Sequence, residues 1–336
     1  MKIRVLGAGW FGCHVATSLI AAGHDVEVHE SSGRIFNGAS GNIPARLHLG
    51  APHYPRSSVT QKACQEHQAE FLERYGQFTR SIPVNIYAVA RDHSLIDFGT
   101  YTRILRDQVE FLTLYDPAEF GLTFVEGGVM LGERHIVVDD AKAFFAKELD
   151  GAIKFNMPIG DVDSKNYHLT IDCSFCANDG AGVDRYEPCL VVLLKGPTDK
   201  SVTIVDGPFP SLYVWNEDLR LSSLSSAKWT PFSKTCKTWG EAKALLDGLS
   251  AADIERQAQF MISDMAGFYP AVRDLYQVAD YRLSIRAMPL SGSDSRLVDV
   301  VRVGERALRV RAGKIDAVIQ AERIIKGMIE SNQKRF

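Results

Sequence analysis

The hydrophobic pattern changes period twice within the first thirty residues. Ile3, Val5 and Leu6 form a short apolar run that predicts a buried strand. Ala16, Leu19 and Ile20 then recur at helical spacing, Gly23 ends the helix, and Val26 and Val28 alternate as a second strand. Gly7, Gly9 and Gly12 stand between the first strand and the helix in the order G-x-G-x-x-G. The second strand stops at Glu30, eighteen residues after Gly12.

Each part of this unit has a physical use. Gly7 permits the tight turn, Gly9 lets backbone approach a pyrophosphate, and Gly12 lets helix and strand pack closely. The helix start presents free N–H groups and the positive end of its dipole. Glu30 can accept hydrogen bonds from two ribose hydroxyls and would repel a 2′-phosphate, which disfavours NADP. A second G-x-G-x-x-G is absent downstream. FAD is therefore the expected cofactor, with electrons drawn from the substrate itself. Gly7, Gly9, Trp10, Phe11, Gly12 and Glu30 are the candidate residues at its dinucleotide end.

Further along, "SSGRIFNGASGNIPA" is too rich in Gly, Ser and Asn for a helix. "RLHLGAPHYPRSS" (46–58) follows, with no helical stripe and no sustained alternation. A helix is expected from about Ser58 to Tyr75, a strand at 84–90, and a helix at "TYTRILRDQV". "LTFVEGGVMLGERHIVV" reads as a hairpin turning at Gly127–Gly128, and 139–149 as a helix with an acidic first turn. Strands are expected at 152–156 and 168–175. From Tyr186 to about Trp229 the pattern is strand-rich, followed by helices near 240–248 and 251–267. "YRLSIRAMP" and "LVDVVRVG" are strands again, and a last helix occupies 313–329.

The order predicts an α/β chain: a Rossmann-like FAD-binding domain with an inserted, mostly antiparallel β domain for substrate. The expected division gives 1–80, 139–183 and 284–336 to the first, and 81–138 and 184–283 to the second. With 336 residues the chain is long enough for two such cores. A formal charge of −3 gives no reason to expect nucleic acid or an anionic membrane as partner. No apolar run approaches a membrane span, "MKIRVLGAG" lacks a small-residue cleavage site, and six Cys make no disulfide framework. These features predict a cytoplasmic protein acting on a small molecule.

Two cysteine and histidine patterns compete with that chemistry. Cys173 and Cys176 form a C-x-x-C at a strand end, without a second pair for zinc, and read as buried small hydrophobes. His48, His53 and His135 lack helical spacing and a carboxylate companion, so no metal is expected.

The N-terminal unit, the "NGASGN" loop, the "RLHLGAPHYPRS" segment and the C-terminal "AGKID" before a long helix resemble FAD-dependent oxidoreductases of the D-amino-acid oxidase type, in the glutathione-reductase-like FAD-binding superfamily. The resemblance implies that Arg34, Ala39, Ser40, Gly41 and Asn42 lie along the cofactor. It implies that Gly313, Lys314 and Ile315 face the pyrimidine end of the flavin. A helix start and a cation there would stabilise the negative charge of the reduced ring. It also implies an Arg on a late strand for a substrate carboxylate, here Arg286, with Tyr281 and Arg282 close by. His48, His53 and Tyr54 are candidates to face the flavin or the substrate. One departure stands out: "TIDCSFCAND" occupies the place where the family commonly has an apolar strand ending in Ala-x-Gly.

The expected activity is oxidation of a C–N bond in a small amine or amino acid, by hydride transfer to flavin N5. An alternative is a flavoenzyme of sugars or sugar nucleotides, including non-redox use of the reduced flavin. Further alternatives are a non-catalytic dinucleotide-binding protein and an NAD-linked dehydrogenase.

Overall fold

A computed structural model of the chain describes residues 1–51, 58–106, 113–158, 160, 162–177, 182–289, 297–311 and 313–333. Strand β1 (Lys2–Leu6) leads into helix α1 (Trp10–Ala21) and strand β2 (Asp25–His29). The short helix α2 (Ala39–Asn42), strand β3 (Arg46–Leu47) and helix α3 (Ser58–Tyr75) follow. Next come β4 (Thr79–Ser81), β5 (Val84–Ala90), α4 (Phe98–Arg106), β6 (Thr113–Tyr115), β7 (Val125–Met130) and β8 (Arg134–Ile136). Helix α5 (Val138–Glu148), β9 (Ile153–Lys154) and β10 (Leu169–Asp172) return the chain to its first layer. The strand-rich middle holds β11 (Val183–Lys195), β12 (Lys200–Val205), β13 (Pro210–Asn216) and β14 (Leu221–Ser226). Helices α6 (Trp239–Asp247), α7 (Ala251–Phe268) and α8 (Val272–Leu275) precede β15 (Gln277–Pro289). The chain ends in β16 (Asp299–Gly304), β17 (Ala307–Arg311) and α9 (Val318–Gln333).

Three sheets result. Six strands in the order β16-β17-β10-β1-β2-β9 form the nucleotide sheet, parallel except for the β16–β17 edge. Eight strands in the order β15-β11-β14-β13-β12-β5-β7-β6 form the second, antiparallel except where β12 joins β5. A small sheet, β3-β8-β4, lies between them in the chain's path. The fold is mixed α/β and Rossmann-like, as the pattern of periods predicted.

The first core joins the nucleotide sheet to α1, α3, α5 and α9. Its centre is Trp10, fully buried, with the rings of Phe36, Phe71, Tyr75 and Phe145 at centroid distances of 5.5, 5.6, 5.6 and 5.7 Å. Under that cluster His14 Nδ1 lies 2.5 Å from the Tyr75 hydroxyl, and His14 Nε2 lies 2.7 Å from Glu322. Ser18 and Lys326 also donate to Glu322. One carboxylate thus ties α1 to α9, and the histidine ties both to α3. A second core packs Ala258, Met261 and Met265 of α7 on Leu190, Val192, Leu212 and Leu224 of the large sheet.

Several elements depart from the pattern's prediction: α2 is one turn of helix inside the stretch read as too rich in Gly, Ser and Asn for a helix. Gly127 and Gly128 do not turn a hairpin, because both lie inside β7. They are needed there for close approach: a Cβ would meet the Phe98 ring at 2.3 Å and the Tyr115 hydroxyl at 2.0 Å, respectively. Strand β17 was not predicted, since Arg309 interrupts its apolar run. Inside the fold Arg309 is 2% exposed and donates from Nε to Asp172 at 2.9 Å, so a charged residue occupies an interior strand. Among the described residues no helix is long and apolar enough to cross a membrane.

The hydrogen bond from His14 holds the Glu322 carboxyl well below its ordinary value of 4.5. A depressed carboxylate stabilises the fold above its unfolded value and loses that stabilisation as pH falls through the range below 4.5. Glu322→Gln is therefore expected to lower stability near neutral pH and to flatten the decline under acid, read by urea unfolding at a series of pH values.

Candidate active site

The G-x-G-x-x-G turn is built as a cradle. Gly7 has φ +90°, which L side chains rarely adopt. A Cβ on Gly12 would sit 1.8 Å from the Gly7 carbonyl oxygen, so α1 starts hard against the end of β1. Glu30, at the end of β2 and 8% exposed, accepts from Ala8 N at 2.7 Å and from Ser32 N at 2.8 Å. The acid is thereby fixed beside the turn. Trp10 N donates to Ser40 Oγ at 2.9 Å, which fastens α2 to the first turn of α1. Asn42 Nδ2 donates to the carbonyls of Asn37 and Gly38, closing the loop that carries Ala39 and Ser40. A bare turn, a helix start and a buried acid are the groups that a dinucleotide needs, so these residues fit FAD.

The candidate side chains are placed unequally. Trp10 turns its indole into the core and offers only backbone to the turn, while Phe11 packs partly buried against the same core. Arg34 is exposed and its Nε donates to Asn37 at 2.8 Å. His53 and Tyr54 lie outside the described residues. Gly313 is exposed, Ile315 half-buried, and Lys314 Nζ lies 2.5 Å from His48 Nε2. The other ring nitrogen of His48, Nδ1, accepts from Gly50 N at 3.0 Å. Two segments 266 positions apart, the "RLHLG" loop and the start of the last helix, therefore meet through these side chains.

Arg286 is paired within the large sheet. Its Nη2 donates to Glu187 at 2.7 Å, across the β11–β15 register that sets Glu187 opposite Arg286. Arg185 Nε donates to the other oxygen of the same carboxylate at 2.9 Å.

Residues that the pattern did not single out complete the region. Ile86, Ala88 and Ala90 of β5 face the α7 core, so by alternation Asn85 and Tyr87 face the opposite way. On that opposite face Glu133, 1% exposed, accepts from Tyr87 Oη at 2.7 Å, Asn85 Nδ2 at 3.0 Å and Leu49 N at 3.0 Å. Burial pushes the Glu133 carboxyl up to about 7. Arg46 donates to Thr203 and Ser211, and its guanidinium lies 4.2 Å from the centroid of the Tyr213 ring. Asp316, 2% exposed beside Lys314, has a carboxyl raised by burial. The available sequence signal was an acid, Glu133, flanked by the apolar runs "GGVML" and "HIVV".

Comparison with known proteins agrees with this geometry. The chain is 31% identical over 344 residues to the FAD-dependent monooxygenase FPY4 of Fusarium mangiferae, covering 98% of this chain and 91% of that protein. It belongs to the family of this FAD-dependent monooxygenase. The FAD-dependent monooxygenase kojA of Aspergillus flavus is 42% identical over 378 residues, with 100% and 87% covered. Glycine oxidase from Geobacillus kaustophilus superposes with a TM-score of 0.70 at 13% identity, over 98% of this chain and 95% of that one. Fructosamine oxidase from Aspergillus fumigatus does so at 0.70 and 12%, over 98% and 86%. At such identities these two show the fold. No protein-family model matches the chain. The protein is an FAD-dependent oxidoreductase.

Gly12→Ala tests the cradle. The added methyl is expected to cost about 1–3 kcal/mol of stability and to leave gel-filtered protein with at most about a tenth of the wild-type flavin content, measured by absorbance.

Proposed function

We propose that this flavoenzyme oxidises a C–N bond of a small amine or amino acid, with the hydride passing to flavin N5. The observation that carries the reading is the contact of Lys314 with His48 at 2.5 Å, at the start of the last helix. There the helix start supplies positive potential suited to an anionic substrate group or a reduced cofactor, and the contact with Lys314 holds the imidazole beside it. The flavin, when bound, supplies the two-electron acceptor.

The chain's own groups have the remaining tasks. His48, held by the Gly50 amide, is oriented to hold or pass a proton at Nε2. His53 and Tyr54, in the same segment, are assigned here to the substrate side. Arg286 is the proposed carboxylate partner, and it would serve by sharing its guanidinium between Glu187 and the substrate. Gly7, Gly9, Gly12, Glu30 and the Ala39–Asn42 helix hold the dinucleotide, with Gly313, Lys314 and Ile315 at the flavin ring. Glycine oxidase, iminodiacetate oxidase and L-proline dehydrogenase, which share the fold, support an amine substrate by their names. The six free cysteines support a reducing, cytoplasmic setting.

A second reading is oxygen insertion, favoured by the monooxygenase names of FPY4 and kojA. Anaerobic mixing of the FAD-loaded protein with amines, amino acids and sugars separates the two. Bleaching of the flavin band by an amine or amino acid alone, with release of a carbonyl product and an amine or ammonia, is the expected result. Bleaching by sugars alone, or only by an added nicotinamide reductant with labelled dioxygen entering the product, overturns the C–N reading.

A further inference from the structure

Glu133 is a buried carboxylate in the connection between two strands that belong to different sheets. It stands between β7 and β8, is 1% exposed, and accepts from Asn85, Tyr87 and Leu49, none of them in that connection. Asn85 Nδ2 and Tyr87 Oη bind Oε2 from the large sheet, while Leu49 N binds Oε1 from the loop after β3. The next amide in that loop, Gly50 N, donates to His48 Nδ1, and His48 Nε2 meets Lys314. A continuous path therefore runs from the large sheet, through one acid and two adjacent amides, to an imidazole at the start of α9.

Stability alone does not account for an acid here. A buried carboxylate pays a desolvation cost of several kcal/mol, and apolar residues of similar volume often do as well or better. What the acid adds is a fixed acceptor for the Leu49 amide of the loop after β3. We propose that Glu133 is a positioning residue: it holds the Leu49–Gly50 backbone and, through it, sets the His48 imidazole against Lys314. The inference rests on the reading of His48 and Lys314 as groups of the flavin site.

The charged and titratable groups facing Glu133 are Arg46 from β3, Tyr87 from β5, Tyr213 from β13 and Cys64 from α3. Arg46 and the Tyr87 hydroxyl favour the ionised acid, and burial opposes it, which places its ionisation at about 7. The loop is then held by a carboxylate above that pH and by a neutral acid below it. A charged acceptor makes the stronger bond to an amide.

The test uses FAD-loaded full-length protein with 15N-labelled backbone and histidine rings. In the wild type the Leu49 amide shift should show a step near pH 7, and in Glu133→Gln that step should vanish while the His48 ring-nitrogen shifts at about pH 8 change. Tyr87→Phe, which removes a donor to the carboxylate, should move the step to higher pH and serves if the Gln variant does not fold. A step that persists in Glu133→Gln, or His48 shifts that do not change, overturns the proposal. Anaerobic flavin reduction by a reacting amine reads the consequence. At about pH 8 it should slow about tenfold to a hundredfold in Glu133→Gln, with substrate affinity retained. Altered His48 shifts with unaltered reduction would uphold the positioning of the loop and reject the flavin-site reading of His48 and Lys314.

Discussion

The contact on which the remaining structure depends is that of Gly12 with the Gly7 carbonyl. Because no side chain stands between them, α1 begins at the very end of β1, and its first amides open on the turn. Trp10 is then aimed into the core, where Phe71 of α3 and Phe145 of α5 close around it. The same helix carries His14, which reaches Tyr75 and Glu322 and so fixes α3 and α9. Lys314 stands just before α9, so its position is set, through two helices, by a glycine three hundred residues earlier.

The polar face of the large sheet poses the opposite problem. Arg46 donates to Thr203 and Ser211 and stacks on Tyr213, and Glu133 accepts from Tyr87, so hydrogen bonds and one cation–π contact stand beside the apolar packing of Tyr87 with Val89 and Val129. Such networks discriminate strongly between satisfied and unsatisfied geometry, because an unpaired buried polar group is costly. An interface of this kind therefore has a narrow range of acceptable positions. That property is of use where a loop between two layers must present one imidazole in one orientation.

What could be read from the chain follows from the range of each signal. The strand–turn–helix–strand–acid unit is local and over-determined, so Gly7, Gly12 and Glu30 stand where their spacing placed them. Helices α3, α5 and α7 were legible from long apolar stripes. Strand β17 was hidden because Arg309 looks like a surface residue until Asp172, 137 positions away, is beside it. Gly127 and Gly128 looked like a turn because glycine also serves close approach, and neither Phe98 nor Tyr115 announces itself as the group that approaches. Glu133 and Arg46 could not be singled out, since their partners lie far away in the chain, on β5, β12 and β13, and in the loop after β3. The meeting of His48 with Lys314 is likewise a property of topology and not of either motif.

The low identity of the superposed oxidases sharpens this division. At 12–13% identity and a TM-score of 0.70, the layout is shared although most side chains differ, and in this chain the turn rests on positions where backbone meets backbone, such as Gly7 with Gly12. Such positions specify where a flavin can lie and say little about what reacts beside it. Side chains are set instead by their own contacts: His48 by Lys314 and the Gly50 amide, Arg46 by Thr203 and Ser211, and Glu133 by Tyr87, Asn85 and Leu49. A shared fold therefore fixes the frame, while the chemistry beside it depends on how such side chains are held.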